Sequence, residues 1–445
     1  MIGHLLIVTC LVVGQSEVTV KKSDAAVKSA AEAAAKADDA TLKTKVLALV
    51  RQLDSDQQAK REQAEKALVD LGSDILPLLP EMTARTPAEV TNRIRRVRTA
   101  LGKAAIEASK KPALVTLNGE MLASEAFAEM SKQTGNKFVD YRERFNQEQP
   151  DPKIKVALDK VPFWQALDSV LDAGQLAIYN YDEESGALAY TSRGNEAVPR
   201  LGRASYSGLF RLEPIRVEAV RDLRNPMNRS LKVTIDVAWE PRIKPIVLEQ
   251  PLDEVKAVDE SGKALEVDGR EGNLEVPVEA TNAAVELEIP LMAPDRSVKQ
   301  VATLTGKLTA VVLGRVEAFE FADLEKAKSV EQERGGVTVT VEQCRKNGDI
   351  YDVSMRVTYD KAANALESHR GWIYNNECFL INAKGARIEN AGLEANLLAD
   401  NEVGLSYKFD LGENAVPTGC KFVYKTPAAI LKIPVEFELK NVELP

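Results

Sequence analysis

The chain has 445 residues, which is too long for one hydrophobic core and suggests roughly three or four domains. It carries 58 basic and 67 acidic residues, for a net charge of −9. An acidic surface repels phosphate backbones and anionic lipids. The composition therefore argues against nucleic-acid binding and predicts that any membrane contact is made through partner proteins.

The N-terminus has the pattern of a secretory signal. Leu5–Val13 is a short apolar run, and the small residues Gly14–Ser16 follow it. A permanent membrane helix needs about 20 apolar residues, so this run is too short to span. We expect a cleaved signal peptide over 1–16 and export to the periplasm, the cell surface or the medium. A buried strand or an anchor is the alternative, and Thr9 disfavours lipidation of Cys10.

Residues 17–40 are rich in Ala, Lys and Glu and predict a linker. From 41 to 109, apolar residues recur at three- and four-residue steps, which predicts a helical domain. Part of it resembles HEAT-type helical repeats, although a plain helical hairpin or small bundle fits too. The residues that carry the resemblance are Arg61–Ala64, Ala67, Leu68, Leu71, Gly72 and Ile75–Leu79. The four arginines of the last helix predict a solvated face; they are Arg93, Arg95, Arg96 and Arg98.

Residues 112–193 alternate between strand and helix patterns in the order β-α-β-β-α-β-β, which predicts a small α/β sandwich. The first helix is expected to begin at a Ser124 cap. Residues 112–192 of this segment resemble the short N-terminal domain of secretins and TonB-dependent receptors. That resemblance implies a protein-docking or spacer fold without catalytic residues. It is carried by Ile154–Leu158, Val161–Trp164, Ala166, Leu167, Leu171 and Leu176–Tyr179.

The C-terminal half contains an internal repeat of strand patterns at a spacing of about 120 residues. It predicts two tandem antiparallel β-sandwich modules, at 205–325 and 332–445. Asn347-Gly348 is a strong hairpin signal. The matched segments are Val233–Val237 with Val353–Val357, Val258–Leu265 with Ile381–Ile388, Val285–Ile289 with Val403–Tyr407, and Phe319–Glu325 with Phe437–Glu443.

The predicted fold class is therefore multidomain α+β: an N-terminal helical segment, a small α/β sandwich and two antiparallel β-sandwich modules. The repeated Phe-Glu-Phe and Phe-Glu-Leu endings and the final Glu443–Pro445 resemble exported multidomain proteins of environmental bacteria. Those proteins combine signal peptides, helical repeats and sandwich modules. Since they have no established activity, the resemblance implies compartment and architecture only.

The residues of catalytic chemistry are sparse. Removal of 1–16 leaves a single histidine, His369, as a base for a serine or cysteine nucleophile. The sequence contains no Gly-x-Ser-x-Gly elbow, no glycine-rich phosphate loop and no paired Cys or His zinc spacing. We therefore predict no enzyme activity, no catalytic residues, no cofactor and no bound metal.

One polar-aromatic loop is a candidate binding surface, formed by Arg370, Trp372, Tyr374 and Asn375. The competing and favoured interpretation is that Trp372 and Tyr374 pack into a core, as we also expect of Trp164 and Trp239. The last module contains three cysteines, Cys344, Cys378 and Cys420. Two interpretations are equally compatible with the sequence: a disulfide among them, or three buried thiols.

These features predict an exported, non-catalytic interaction or structural protein of the cell envelope, with another envelope protein as its partner. One alternative is a carbohydrate-binding or polysaccharide-associated protein that uses the Trp372/Tyr374 loop. Another is an accessory subunit of an outer-membrane secretion or uptake assembly, which depends on the resemblance to the secretin short domain.

Overall fold

The computed structural model shows an α+β chain, made mostly of strands in several sheets with a few helices. The chain divides into two compact units, Met1–Ala105 and Ile106–Pro445. The predicted signal peptide and linker lie outside the described residues. Those residues are 41–80, 86–147, 150–179, 186–193, 203–225, 227, 229–269, 271–279, 282–348, 350–360, 371–412, 417–428 and 430–445.

The described part of the first unit is helical. Apolar residues at helical spacing form one buried cluster that includes Val46, Leu68, Ile94 and Leu101. The helices are α1 (41–52), α2 (Gln58–Asp70), a 3-10 helix (Ser73–Leu78) and α3 (Ala88–Ser109), whose last residues belong to the second unit.

The predicted solvated arginine face of α3 was wrong at Arg93. Its side chain is buried and its guanidinium donates to Glu65 Oε2 at 2.7 Å and to Glu89 Oε1 at 2.6 Å. Arg96 also binds Glu65, so these two guanidinium groups lower the pKa of that carboxyl. The error arose because a charge pattern does not reveal a carboxylate that the preceding helix supplies.

The next segment has the predicted order β-α-β-β-α-β-β. Its core contains Phe127 and Trp164, and β1 pairs with β3 while β5 lies between β2 and β4. Ser124 is not the cap of the first helix; the Glu125 carboxylate accepts from the Leu122 amide at 2.9 Å. The elements are β1 (Leu114–Leu122), α4 (Ala123–Thr134), β2 (Lys137–Asp140), β3 (Lys153–Pro162), α5 (Phe163–Gly174), β4 (Leu176–Tyr179) and β5 (Ala187–Ser192).

The remaining strands form two pairs of sheets, and each pair shares one hydrophobic core. Strands of the first half are β6 (Ser205–Ser207), β7 (Phe210–Arg221), β8 (Arg229–Trp239), β9 (Lys244–Pro251), β10 (Lys256–Asp259), β11 (Ala264–Leu265), β12 (Asn273–Pro277), β13 (Ala284–Met292), β14 (Gln300–Leu313) and β15 (Val316–Phe321). In the first sheet pair, one sheet has the order β13-β8-β7-β6, and the other contains β11-β10-β14 with β9 and β12.

The second sheet pair also consists of two antiparallel sheets, one of five strands and one of four. The elements of this half are β16 (Val330–Arg334), β17 (Val337–Asn347), β18 (Ile350–Tyr359), the short helix α6 (Gly371–Tyr374), β19 (Cys378–Ile381), β20 (Arg387–Glu389), β21 (Gly392–Leu398), β22 (Glu402–Asp410), β23 (Lys421–Pro427) and β24 (Ile430–Glu443). One sheet has the order β21-β22-β18-β17-β16, and the other has β20-β19-β23-β15. The predicted Asn347-Gly348 hairpin joins β17 to β18, with Gly348 at a φ of 64°.

The last strand of each half lies in the sheet pair of the other. β15 pairs with β23 and contributes Phe319 and Phe321 to the second core. β24 pairs with β14 over its whole length and contributes Val435 and Phe437 to the first core. Each core therefore includes a strand that belongs, along the chain, to the other half of this region.

Candidate functional site

The predicted aromatic loop is partly a packing element. Trp372 lies in α6, is half-buried and meets the Tyr359 ring edge-on, with 5.8 Å between ring centroids. It contacts the core of the second sheet pair and also the small cluster of Ile246, Val247 and Val311 from the first. Trp372 therefore packs between the two sheet pairs, whereas Tyr374 and Asn375 are exposed and Arg370 lies outside the described residues.

A buried polar network continues from this loop. The Asn376 side-chain amide donates to the Tyr424 hydroxyl and to Thr426 Oγ1, each at 2.8 Å. Thr426 Oγ1 also lies 2.6 Å from the Tyr359 hydroxyl. Burial raises the pKa of Tyr359 and of Tyr424, so both phenols stay protonated at neutral pH. These hydroxyls hold α6 against β23, and none is a candidate base or nucleophile.

The three cysteines are free thiols packed in or against the second core. Burial raises the pKa of Cys344 to about 11 and raises that of Cys378 and Cys420 as well. Because the thiolate is the reactive form, these thiols are poor nucleophiles at neutral pH. A disulfide among them stays a prediction.

A charged cluster that the sequence analysis missed joins the α/β segment to the first sheet pair. Arg211 on β7 donates from Nε to Asp168 Oδ2 on α5 at 2.8 Å and from a terminal nitrogen to Glu213 at 2.7 Å. The Tyr206 hydroxyl donates to the same Asp168 oxygen at 2.6 Å. The Asp168 side chain is 0% exposed and the Arg211 side chain 1%, so solvent has no access to either charge.

The electrostatics of this cluster keep Arg211 and the Tyr206 hydroxyl protonated. Burial alone would lower the pKa of Arg211, but the carboxylates of Asp168 and Glu213 raise it overall. Burial and the Asp168 carboxylate raise the pKa of the Tyr206 hydroxyl. Asp168 therefore accepts from two groups that stay protonated, and the cluster acts as a fixed link between α5 and β7.

Two further contacts strengthen the same junction. Trp164 Nε1 on α5 donates to the Leu209 carbonyl at 2.9 Å. The fully buried Glu240 accepts from the Ala113 amide at 2.9 Å and from Arg242 at 2.7 Å. Arg242 in turn donates to the Lys111 carbonyl. The segment before β1 and the helix α5 are thus both tied to the first sheet pair.

One sequence signal pointed to this junction. Asp168 lies four residues after Trp164, so both residues share the apolar face of α5 with Leu171. A carboxylate on a buried helix face requires a partner. The partner is not visible in the sequence, because Arg211 belongs to a strand more than 40 residues away. The predicted burial of Trp164 and Trp239 is confirmed.

A cleft of about 500 Å³ opens beside this junction, between β4 and the outer face of β7, β8 and β13. Three carboxylates line it, and they stand side by side because Glu213 pairs with Asp236 and Asp236 with Glu286 on adjacent strands. Apolar side chains form the rest of the lining, together with Arg211. They include Ile178, Ile215, Val276 and Val285.

Within the described ranges, no group of three or more His, Cys, Asp or Glu side chains is arranged to hold a metal ion. None of the helices in those ranges is both long and apolar enough to cross a membrane. A second depression of about 620 Å³ is lined by Glu249, Asp253, Glu271, Asn273 and their neighbours, without an aromatic side chain. No family model matches the chain, and no curated protein and no solved structure shows significant similarity to it.

Proposed function

We propose that this chain is an exported, non-catalytic interaction or structural protein of the cell envelope, and that its partner is another envelope protein. In this proposal the α/β segment is a small sandwich of the docking type, and the two sheet pairs are tandem β-sandwich modules. The protein works in the periplasm or at the cell surface, without a cofactor.

The Asp168–Arg211 pair is the observation that carries the proposal. Buried and perturbed charges are the usual mark of an active site. Here the charges are sealed from solvent, so they have no access to a substrate. They join two segments instead, as do Glu240 and Trp164. The most buried charged groups therefore form rigid junctions between segments. This use of buried charge supports a scaffold that presents binding surfaces to a partner protein.

The test is affinity capture of the tagged full-length protein from gently crosslinked envelope and medium fractions, with mass spectrometry of the captured proteins. We expect a mature protein that begins after Ser16, and one dominant protein partner. The matched control is the same tagged chain without residues 1–16, which is not exported and captures no envelope protein. Saturable turnover of hydrolase substrates by the purified protein, or identical capture by the control, would refute the proposal.

The carbohydrate-binding alternative has one observation in its favour. Tyr374 is 36% exposed beside the exposed Asn375, so these two side chains offer an accessible aromatic and amide surface. The double variant Tyr374→Ala, Asn375→Ala is expected to keep the wild-type unfolding midpoint. If the wild type binds insoluble polysaccharide and the double variant does not, the result supports the carbohydrate-binding alternative. If both proteins bind equally, or neither binds, the result refutes it. Trp372→Ala is less suitable, because that side chain packs between the sheet pairs.

The accessory-subunit alternative depends only on the resemblance of the α/β segment to the secretin short domain. Capture of an outer-membrane pore protein in the envelope experiment would favour it. Recovery of partners without a pore protein would count against it.

A further inference from the structure

The hairpin of β7 and β8 ends in exposed apolar side chains. Leu223 is 87% exposed, Met227 84% and Val220 61%. The Asp222 carboxylate accepts from the amides of Arg224 and Asn225, at 2.8 and 3.2 Å, and so orders the turn that carries Leu223. Three apolar side chains left in water at this level of exposure, all at one hairpin end, indicate an interaction surface.

The same hairpin end is basic, although the whole chain is acidic. Arg221 and Arg224 flank Leu223, and neither guanidinium has an ion-pair partner among the residues that the structure describes. Arg229 is also at this end and lies 3.3 Å from Asp295. We call Val220, Arg221, Leu223, Arg224 and Met227 the hairpin tip; it combines apolar side chains with positive charge.

The cleft beside the junction has the complementary chemistry. It has apolar walls and carries the carboxylates of Glu213, Asp236 and Glu286, whereas the Arg211 side chain that also borders it is only 1% exposed. Arg211 is already committed to Asp168 and Glu213, and Glu286 also accepts from Arg216 at 3.1 Å. Like charges directly opposite one another on neighbouring strands are unfavourable, and an incoming cation relieves that repulsion. The volume of about 500 Å³ lies in the range of ordinary binding pockets.

The tip cannot occupy the cleft of its own molecule. Both belong to the β7–β8 hairpin, and Arg221 follows Glu213 by eight residues on one continuous strand. At about 3.3 Å per residue, the tip is held roughly 25 Å from the carboxylates. The strand pairing that keeps this distance runs from Phe210–Trp239 to Arg221–Arg229.

We propose that the hairpin tip of one molecule docks into the acidic cleft of a second copy of the chain. Leu223 and Met227 enter between the apolar walls, and Arg221 and Arg224 approach the row of carboxylates. The contact is heterologous, because two different surfaces meet. In a pair, the molecule that supplies the tip keeps a free cleft, and the molecule that supplies the cleft keeps a free tip. Such contacts build rings or open chains rather than closed two-fold dimers. This docking contact does not depend on the compartment in which the protein works.

The test is sedimentation velocity of the purified full-length protein over a wide concentration range at low salt. The wild type is expected to increase in average mass with concentration, and high salt weakens this association because the paired charges are screened. The tip variant is Leu223→Asp, Met227→Asp, and the cleft variant is Ile215→Lys, Glu286→Lys. All four side chains are at least 42% exposed, so both variants are expected to fold. Each weakens association by at least about tenfold.

A mixture of the two variants is the decisive sample. The cleft variant keeps an intact tip and the tip variant keeps an intact cleft, so together they form a 1:1 complex and nothing larger. Leu398→Asp, at another exposed apolar position, is the matched control and associates as the wild type does. A wild type that stays monomeric, a mixture that stays monomeric, or loss of association in Leu398→Asp would each overturn the proposal.

Discussion

The two sheet pairs are both antiparallel, but one face of each has opposite surroundings. In the first, the α/β segment packs against part of the outer face of β7 and β8, and Arg211 there has a side chain only 1% exposed. In the second, the corresponding face of β17, β18 and β22 is solvated, and Arg356 there is 44% exposed while it binds Glu342 and Glu402. The outer face of such a sheet can therefore carry either a buried ion pair or an exposed one, depending on whether another segment packs against it.

The two sheet pairs also differ at the hairpin that joins β7 to β8 in the first and β17 to β18 in the second. In the second sheet pair, Asn347-Gly348 turns the chain tightly between β17 and β18. In the first, a longer connection between Arg221 and Arg229 presents Leu223 and Met227 to solvent. The interior of each sheet pair follows the same alternation of apolar residues, so the differences that matter for recognition lie on the outer faces and at the hairpin ends.

Loss of the buried arginine should have the largest effect. Arg211→Met leaves Asp168 buried and without its ionic partner, which we expect to cost about 3–5 kcal/mol of unfolding free energy. Arg356→Met removes a surface pair and is expected to cost about 1 kcal/mol or less. Urea unfolding of the two variants measures the contrast. Adding Asp168→Met to Arg211→Met should recover part of the loss, and equal midpoints for the two single variants would contradict the assigned burial.

The exchanged strands offer a second contrast of intermediate size. On β24, Phe437 pairs with Gly306, while Phe319 on β15, its counterpart in the predicted repeat, pairs with Tyr424. A methyl group added at Gly306 would collide with the Phe437 ring. Gly306→Ala is therefore expected to destabilise the protein by about 1–3 kcal/mol through overpacking.

The control for that substitution lies on the exchanged strand itself. Phe437→Leu in the Gly306→Ala background makes room for the methyl group and should restore part of the unfolding midpoint. If Gly306→Ala alone leaves the midpoint unchanged, β24 does not pack on β14 as described, and the exchange of strands between the two halves fails with it.

The smallest expected effect concerns two matched turns. The Asp259 carboxylate accepts from the Ser261 and Lys263 amides and from the Ser261 hydroxyl, and these bonds lower its pKa from the ordinary value of 3.8. Asn382 accepts two amide hydrogen bonds in the corresponding turn of the second sheet pair, but it does not ionise. Only the first turn should therefore respond to pH.

Because the folded-state pKa of Asp259 is depressed, its stabilisation is complete above the ordinary value of 3.8 and is lost as pH falls through the lower folded value. Urea midpoints of the wild type and of Asp259→Asn, measured between pH 6 and pH 3, should converge as the solution is acidified. An unchanged difference across that range would show that the carboxylate is not held by these bonds. Asn382→Asp should introduce the same pH dependence into the second turn.

Several elements could be predicted because their causes are local. Gly262 and Gly385 occupy left-handed positions between short paired strands, as their turn sequences indicated. The helix α5 follows from the apolar spacing after Pro162. Features that depend on a distant partner were not predicted correctly. Arg93 was assigned to a solvated face, and the Asp168–Arg211 pair was missed.

The sequence by itself determined several of the strands and turns and which side of those strands is apolar, because alternation and turn chemistry act within a few residues. Only the tertiary structure decided which sheet each strand joins. The endings Phe319-Glu-Phe321 and Phe437-Glu-Leu439 have the same apolar alternation, so either would fit either sheet by pattern alone. The choice of β24 for the first core and β15 for the second depends on packing between residues more than 100 positions apart, such as Phe437 against Gly306.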